Sequence, residues 1–381
     1  MHRPAVPPLA LLLVAACTAA PAPSGDPSQA PPSSGIASTP SPSSSADSAG
    51  LHGQIAYVAG DDPQIFLLDL GTGESRQLTQ LRAEHAELTA SGPMRPALTC
   101  GFGPSGLAWS PDGNRLAFAY GSCDSVVYVV DLDGELRRIG DGRGPAWSHD
   151  GRLLVYGANA PWSPCGAGCQ EPGDAGQWDL RIVDPSAGAE PMPLSADGST
   201  SGGSQPVFSS DDSMIAFSGP PAGRDSEIET FTATYVIGAD GTDPRHVVDG
   251  AWPVGWDPEG RLLIVTENAS ELHAIDLDDS SSTRIGTVQG PGGLSPDGTL
   301  VLETTTDPVT GAGGFRLATR DGEILLESPG HAGVWAPDSS AVAIVDLEQP
   351  AIEVIGRDGA ALARYATEPT YGFALAWRPG S

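Results

Sequence analysis

One segment of this 381-residue sequence recurs along the chain, and it constrains the fold more than any other feature. It reads "LAWSPDGNRLAFAY" from Leu107 to Tyr120. Variants begin at Pro145, Pro206, Pro253, Gly292 and Gly333, and a truncated copy, "ALAWRPGS", ends the chain. Asp-Gly is a strong signal for a hairpin turn, and the flanking apolar and branched residues favour strands. Each copy is therefore predicted to be a strand, a tight turn and a second strand.

Two more predicted strands follow each copy, such as "VVYVVDL" from Val126 and "ELRRIG" from Glu135. The first strands are marked by Ala108, Ala146, Val207, Gly255, Gly293, Val334 and Ala376, at intervals of 38, 61, 48, 38, 41 and 42 residues. Four short strands repeated about every 40 residues predict an all-β fold, a single β-propeller. We count seven four-stranded blades, or six if "VFSSDDS" is not a true copy.

The two ends of the repeat array are complementary. From Gly53 the chain supplies three strands of a blade without the first one, and the last copy stops just after its turn. We expect the C-terminal strand to join the N-terminal blade and close the ring, because closure removes an exposed sheet edge.

The "WSPDG" turn, together with "YVIGADGTDPRHV" from Tyr235, resembles the repeats of TolB-type, WD-repeat-like propellers. The resemblance extends over residues 53–381 and implies a propeller domain at 51–381. It implies no particular function, since such repeats occur in lyases, in non-catalytic domains of peptidases and in lipoproteins.

The N-terminus is typical of an exported lipoprotein. Residues 1–16 form a signal peptide with a short basic start and an apolar stretch too short to span a membrane. "VAAC" resembles a lipobox, which implies cleavage after Ala16 and attachment to Cys17 of a diacylglyceryl group with acyl chains such as palmitate. The alternative is an ordinary secreted protein in which this cysteine is coincidental. Residues 17–50 are rich in Pro and Ser and are predicted to be a disordered tether.

The formal net charge is -29, and all 19 basic side chains are arginine. A chain this acidic is disfavoured for binding nucleic acid. The acidity fits a solvated surface, with a site for a cation or a basic partner as the alternative.

The lipid anchor would place a monomer on the extracytoplasmic face of the cell membrane, in the periplasm or at the cell surface.

The connections between strands differ on the two faces of the predicted propeller. The turns inside each repeat motif are tight, whereas the connections at 79–105, 157–177, 219–227 and 305–313 are long, and long loops are often functional. The first holds Cys100, the second holds Cys165 and Cys169, and Cys123 lies in a shorter connection on the same face. We predict the disulfides Cys100–Cys123 and Cys165–Cys169. A four-cysteine zinc site is the alternative, but its spacing is poor.

Few other residues suggest chemistry. His85 and Trp162 lie in long loops and are candidate binding residues, with a plain surface or packing role as the alternative. No catalytic set, metal site or cofactor motif is identified, and the acidic turns do not complete a calcium loop. Trp residues of the first strands are predicted to be core.

The sequence therefore favours a membrane-anchored, extracytoplasmic module that binds an envelope protein or a glycan through the face with the long loops. A role in binding is favoured over a role as an enzyme. The alternative is a propeller enzyme or small-ligand sensor, lyase-like or hydrolase-like, with a site at the mouth of the central channel.

Overall fold

A computed structural model describes residues 51–82, 103–121, 125–158, 179–186, 188–195, 200, 203–220, 232–267, 271–287, 293–306, 313–329, 332–346, 350–368 and 374–380. These residues belong to one compact unit, Ser41–Ser381. They contain 27 antiparallel strands, arranged as five four-stranded sheets and one seven-stranded sheet. The seven-stranded sheet is two four-stranded runs that share β7. We call each four-stranded run a meander and number the meanders 1 to 7.

Meander 1 combines the last strand with the first three: β27 (Leu375–Trp377), β1 (Gln54–Ala59), β2 (Gln64–Asp69) and β3 (Ser75–Gln77). Meanders 2 and 3 are β4 (Pro104–Trp109), β5 (Arg115–Tyr120), β6 (Val126–Asp131), β7 (Leu136–Trp147), β8 (Leu154–Ala158), β9 (Asp179–Val183) and β10 (Met192–Pro193). Meander 4 is β11 (Ser204–Phe208), β12 (Met214–Gly219), β13 (Ala233–Gly238) and β14 (Arg245–Asp249).

The remaining meanders follow the same order. Meander 5 is β15 (Ala251–Trp256), β16 (Leu262–Thr266), β17 (Glu271–Ile275) and β18 (Ser282–Thr287). Meander 6 is β19 (Gly293–Leu294), β20 (Leu300–Thr306), β21 (Gly313–Thr319) and β22 (Ile324–Pro329). Meander 7 is β23 (Ala332–Trp335), β24 (Ala341–Asp346), β25 (Ala351–Gly356) and β26 (Ala361–Ala366). Each of the seven markers identified in the sequence lies in the first strand of a meander.

One strand is longer than the sequence predicts. β7 runs without a break from the fourth strand of meander 2 into the first strand of meander 3, where two separate strands were expected. The amide of Gly142 donates to the carbonyl oxygen of Ser125 at 2.8 Å, so pairing continues through the junction. Gly142 lies against Gly157 and Tyr156 so closely that a larger side chain would clash. Glycine at this position therefore allows the chain to pass between meanders without a loop.

The hydrophobic core lies between the meanders. Seven clusters of buried side chains each join one meander to the next, and one of them joins meander 7 to meander 1. The second and third strands are buried on both faces, as in β5 and β6. This explains why those segments are continuous apolar runs rather than alternating ones. The first strands of several neighbouring meanders contact one another and so converge.

Candidate functional site

The residues predicted to act in lipidation, disulfide bonding or binding lie outside the described residues. They are Cys17, His85, Cys100, Cys123, Trp162, Cys165 and Cys169. The lipid anchor, both disulfides and the two binding residues thus remain predictions. The described residues do define the two faces from which those segments extend.

The tight turns of the repeat are held by a serine. The hydroxyl of Ser110 donates to Asp112 Oδ1 at 2.5 Å and accepts from the amide of Arg115 at 3.0 Å. The same pair of hydrogen bonds recurs at Ser148, Ser209 and Ser295. All four serines are buried, and the aspartates that they hold have lowered pKa values. The recurrence of "SPDG" is therefore explained by turn structure.

Two turns replace the glycine of the motif and use the new side chain to reach the preceding meander. Asp212 has a φ of 58°, and its carboxylate accepts from the amides of His149 and Asp150 at 2.7 and 2.9 Å. Ser339 has a φ of 62°, and its hydroxyl accepts from the amide of Asp297 at 3.0 Å. A left-handed backbone is unfavourable for a residue other than glycine, so these contacts offset a local cost.

Arginines connect neighbouring meanders on the same face. Arg378 donates to the carbonyl oxygen of Gly113 at 2.7 Å, Arg115 to that of Gly151 at 3.0 Å, and Arg357 to Asp297 Oδ2 at 2.6 Å. In meander 5 the motif serine is replaced by Asp257, which is 1% exposed and accepts from Arg261 Nε at 2.8 Å. The polar groups of this turn face are thus largely occupied by contacts within the protein.

The opposite face contains the start of the first strands, and in three successive meanders that start is bulged. Register shifts occur before Ala108, Ala146 and Val207. Each bulge contains a residue with positive φ: Gly106, Gly144 and Gln205. The bulges are also neighbours in space, because a methyl group on Gly106 would lie 3.7 Å from Gly144 Cα, and one on Gly144 would lie 3.7 Å from Gln205 Cα. Gln205 is exposed there, at a φ of 50°.

A cavity of about 250 Å³ lies where first strands converge. Its walls are largely apolar and include Trp256, Leu294, Val334, Trp335 and Leu375 from meanders 5, 6, 7 and 1. The sequence assigned the tryptophans of the first strands to the core alone. Trp335 belongs to the core, since it is only 6% exposed, and it also lines the cavity. Only the relative placement of four meanders creates this space, so no local sequence signal marks it.

Three tryptophans of the first strands form hydrogen bonds between meanders. The indole nitrogens of Trp109, Trp147 and Trp335 donate to the carbonyl oxygens of Ala376, Ala108 and Gly293, at 3.1, 3.0 and 3.2 Å. Trp256 differs, because its indole nitrogen is buried and has no hydrogen-bond partner among the described residues. Trp256 is also one of the residues that line the cavity.

Two histidines each lie beside one aspartate. His149 Nδ1 lies 2.8 Å from Asp212 Oδ1, and His246 Nε2 lies 2.8 Å from Asp249 Oδ1. Within the described ranges, no group of three or more His, Cys, Asp or Glu residues is arranged to hold a metal ion. Among the same residues, no helical segment has the length and hydropathy of a membrane span.

Among known families, curated sequences and solved structures, only solved structures are similar to this chain. No protein-family model and no curated protein sequence matches the chain. Oligogalacturonate lyase from Vibrio parahaemolyticus aligns with 82% of this chain and 85% of its own, at 16% identity and a TM-score of 0.52. A puromycin hydrolase aligns with 85% of this chain and 55% of its own, at 14% identity and a TM-score of 0.55. TolB from Acinetobacter baumannii aligns with 85% of this chain and 82% of its own, at 15% identity and a TM-score of 0.48.

The fold is a β-propeller. The lyase and the hydrolase share it over most of this chain, and the strand order of the meanders agrees with it. The propeller fold predicted from the repeats is thereby confirmed. Identities this low establish the fold alone, and one fold supports many activities.

Proposed function

We propose that the protein is a membrane-anchored, extracytoplasmic binding module whose seven meanders are the blades of one closed propeller. The signal peptide at 1–16 would be removed, acyl chains on Cys17 would hold the protein at the membrane, and residues 17–50 would act as the tether. A partner, an envelope protein or a glycan, would bind the face with the long connections. This face includes the loops with His85 and Trp162 and the two proposed disulfides.

Closure of the ring is supported by contacts between the ends of the described chain. β27 pairs with β1, with Trp377 opposite Ile55. The hydroxyl of Tyr365, in meander 7, donates to the carbonyl oxygen of Leu70, in meander 1, at 2.6 Å. Together with the cluster of buried side chains between meanders 7 and 1, these contacts favour a seven-blade ring over a six-blade one.

The two faces differ in how far their polar groups are already bonded, and this difference favours the face with the long connections as the binding surface. On the turn face, serines, aspartates and arginines are bonded to one another and to neighbouring meanders. Such groups are poorly placed to bind a partner, because a partner would have to break contacts that stabilise the fold. The opposite face has the long connections of the sequence, and rigid strands position their ends.

The proposal is tested by crosslinking the full-length protein in intact cells and identifying what co-purifies. In one variant, residues 159–178 are replaced by a short Gly-Ser linker. The matched control changes the turn face, with Asp133→Ser and Arg152→Ala. We expect one stoichiometric envelope component that is lost in the first variant and kept in the control. Capture that is lost in the control but kept in the linker variant would contradict the choice of face. Cys17→Ser should release the protein from membranes.

The cavity supports a second candidate function, binding of a small apolar ligand or substrate where the first strands converge. Two tryptophans in its walls allow a direct test by energy transfer to 1-anilinonaphthalene-8-sulfonate. Leu294→Trp should fill the cavity and abolish saturable transfer, while leaving crosslinking to an envelope partner intact. Transfer that is unchanged in this variant would exclude the cavity as the site.

A further inference from the structure

One position in the second strand differs in character between meanders. In meander 2, Trp109 ends the first strand and pairs with Leu116 of the second strand. The position lies two residues after this partner, at Phe118. The equivalent residues in the other meanders except meander 6 are Tyr57, Tyr156, Phe217, Ile264 and Ile344. All six of these side chains are buried, at 3% exposure or less, and each belongs to the cluster facing the preceding meander.

Meander 6 has a carboxylate at this position, Glu303. Its cross-strand neighbour is Arg316, whose Nη1 lies 3.4 Å from Glu303 Oε2. In meander 2 the equivalent pair is Phe118 and Tyr128, whose rings stack with their centroids 5.9 Å apart. An ion pair thus occupies a place where an aromatic pair seals the interface elsewhere.

The consequence is visible in the space between meanders. At the interface of meanders 2 and 3, Tyr156 packs against Gly140 so tightly that a methyl group there would clash with its hydroxyl. At the interface of meanders 5 and 6, Glu303 faces the equivalent glycine, Gly286. No aromatic ring of the described residues lines the gap, and a groove of about 550 Å³ remains between β18 and the strands β20–β22. This volume lies within the usual range for small-ligand sites.

Three arginines and two carboxylates, Glu303 and Asp321, line the groove, in a protein with a net charge of -29. Arg284 donates to Glu271 Oε1 at 2.7 Å, and Arg316 Nε donates to Glu327 Oε1 at 2.7 Å. Arg320 is held more loosely. Its guanidinium lies 3.5 Å from the carbonyl oxygen of Gly298 and 3.8 and 3.9 Å from the carboxylates of Glu259 and Asp257. These distances exceed those of strong charge-assisted hydrogen bonds, so its donors can turn toward a ligand.

We propose that this groove binds a small hydroxylated anion with a carboxylate or phosphate group. The guanidinium groups of Arg320 and Arg316 would hold the anionic group, since a planar fork of donors matches either oxyanion. Glu303 would accept a hydrogen bond from a hydroxyl of the same ligand. The site is separate from the proposed partner-binding face, and its existence does not depend on that proposal.

Titration calorimetry on the full-length protein, with citrate, tricarballylate and inorganic phosphate as probes, tests the inference. Citrate and tricarballylate differ only in the hydroxyl group, so their comparison isolates the contact with Glu303. We expect saturable binding of one equivalent of citrate or phosphate, and weaker binding of tricarballylate than of citrate. Binding of phosphate without citrate would assign the site to phosphate-bearing ligands. Failure of all three probes to bind saturably would overturn the proposal.

Variants separate the groove from the overall charge. Arg320→Gln should weaken binding about tenfold or more, as expected for loss of a charged hydrogen bond. The double variant Glu303→Phe/Arg316→Tyr reproduces the aromatic pair of meander 2 and should abolish binding without lowering the thermal midpoint. Arg364→Gln is the matched control, because Arg364 is an ion-paired arginine on meander 7 whose exposure is similar to that of Arg320. Equal weakening in the control and in Arg320→Gln would show a net-charge effect and refute the site.

Discussion

The indole nitrogen of Trp109 donates a hydrogen bond to the carbonyl oxygen of Ala376, 267 residues further along the chain, at 3.1 Å. The bond joins the first strand of meander 2 to the first strand of meander 1, which is built from the end of the sequence. Trp147 forms the equivalent bond one meander later, to Ala108 at 3.0 Å. The tryptophan of the repeat thus stabilises the interfaces between meanders as well as the core.

Trp147→Phe removes this hydrogen bond while keeping most of the apolar surface. We expect the free energy of unfolding to fall by about 1–2 kcal/mol, because the partly buried carbonyl oxygen of Ala108 loses its donor. Trp256→Phe is the matched comparison, since that indole nitrogen has no partner among the described residues and its removal should cost less. Urea unfolding followed by circular dichroism measures both, and a larger loss for Trp256→Phe would contradict this account.

Deleting residues 374–381 removes β27 from meander 1. The unpaired edge of β1 and the loss of buried Trp377 should lower stability by about 3 kcal/mol or more. The exposed edge should also promote association, which light scattering detects. Deletion of residues 380–381 alone is the control and should leave the thermal midpoint nearly unchanged. A truncated protein that is monomeric and equally stable would show that β27 does not support meander 1.

Gly140→Ala places a methyl group against the hydroxyl of Tyr156. We expect a loss of about 1–3 kcal/mol from overpacking at the interface of meanders 2 and 3. Adding Tyr156→Phe should restore part of that loss, since it removes the nearest atom. Thermal unfolding of the two single variants and the double variant measures the coupling. Strictly additive effects would mean that the two residues do not contact each other in solution.

Ser209→Ala tests the turn aspartates through pH. Hydrogen bonds from Ser209 and Ser213 lower the pKa of Asp211 to about 2. An unfolded aspartate has a pKa of about 3.9, so ionised Asp211 stabilises the fold above that pH, and the contribution is lost as the pH falls toward 2. The variant should be less stable at pH 7 by about 1–3 kcal/mol, because the amide of Met214 also loses its acceptor.

The unfolding free energies of the wild type and of Ser209→Ala should become more similar in acid. Protonation of Asp211 removes part of what Ser209 contributes, so the difference in unfolding free energy should be smaller at pH 2.5 than at pH 7. Ser213→Ala is the control, because its hydroxyl bonds the same carboxylate at 2.7 Å but holds no strand amide. It should cost less at neutral pH. A difference between Ser209→Ala and wild type that is constant with pH would rule out this linkage.

The repeat made the fold predictable because its signals are local. Ser110, Asp112 and Gly113 encode one turn within a few residues, and the strand after it, β5, is apolar on both faces. The repeat pattern predicts two strands within β7, because the segment ends one repeat and begins the next. Gly142 instead lets the strand pass close to Tyr156, so pairing continues through the junction.

Contacts between meanders were beyond prediction from the sequence, for a physical reason. The bond between Arg357 and Asp297 joins residues 60 apart that belong to different repeats. Glu303 looks ordinary in the sequence, and its significance depends on the register that aligns it with Phe118 and Tyr156. The site residues proposed from the sequence, such as Cys165 and Trp162, lie outside the described residues and stay predictions.

The pairing of β27 with β1 sets an order for biosynthesis. The strands of meander 1 that lie at the N-terminus emerge from the ribosome about 300 residues before the strand that completes their sheet. Meanders 2 to 7 have all their strands by then, so they can form while the first sheet still has an open edge. Completion of the native state therefore waits for β27, and a chain that stops before this strand leaves that edge unprotected. Quality control by proteases or chaperones has one late event to monitor, the arrival of Trp377 beside Ile55.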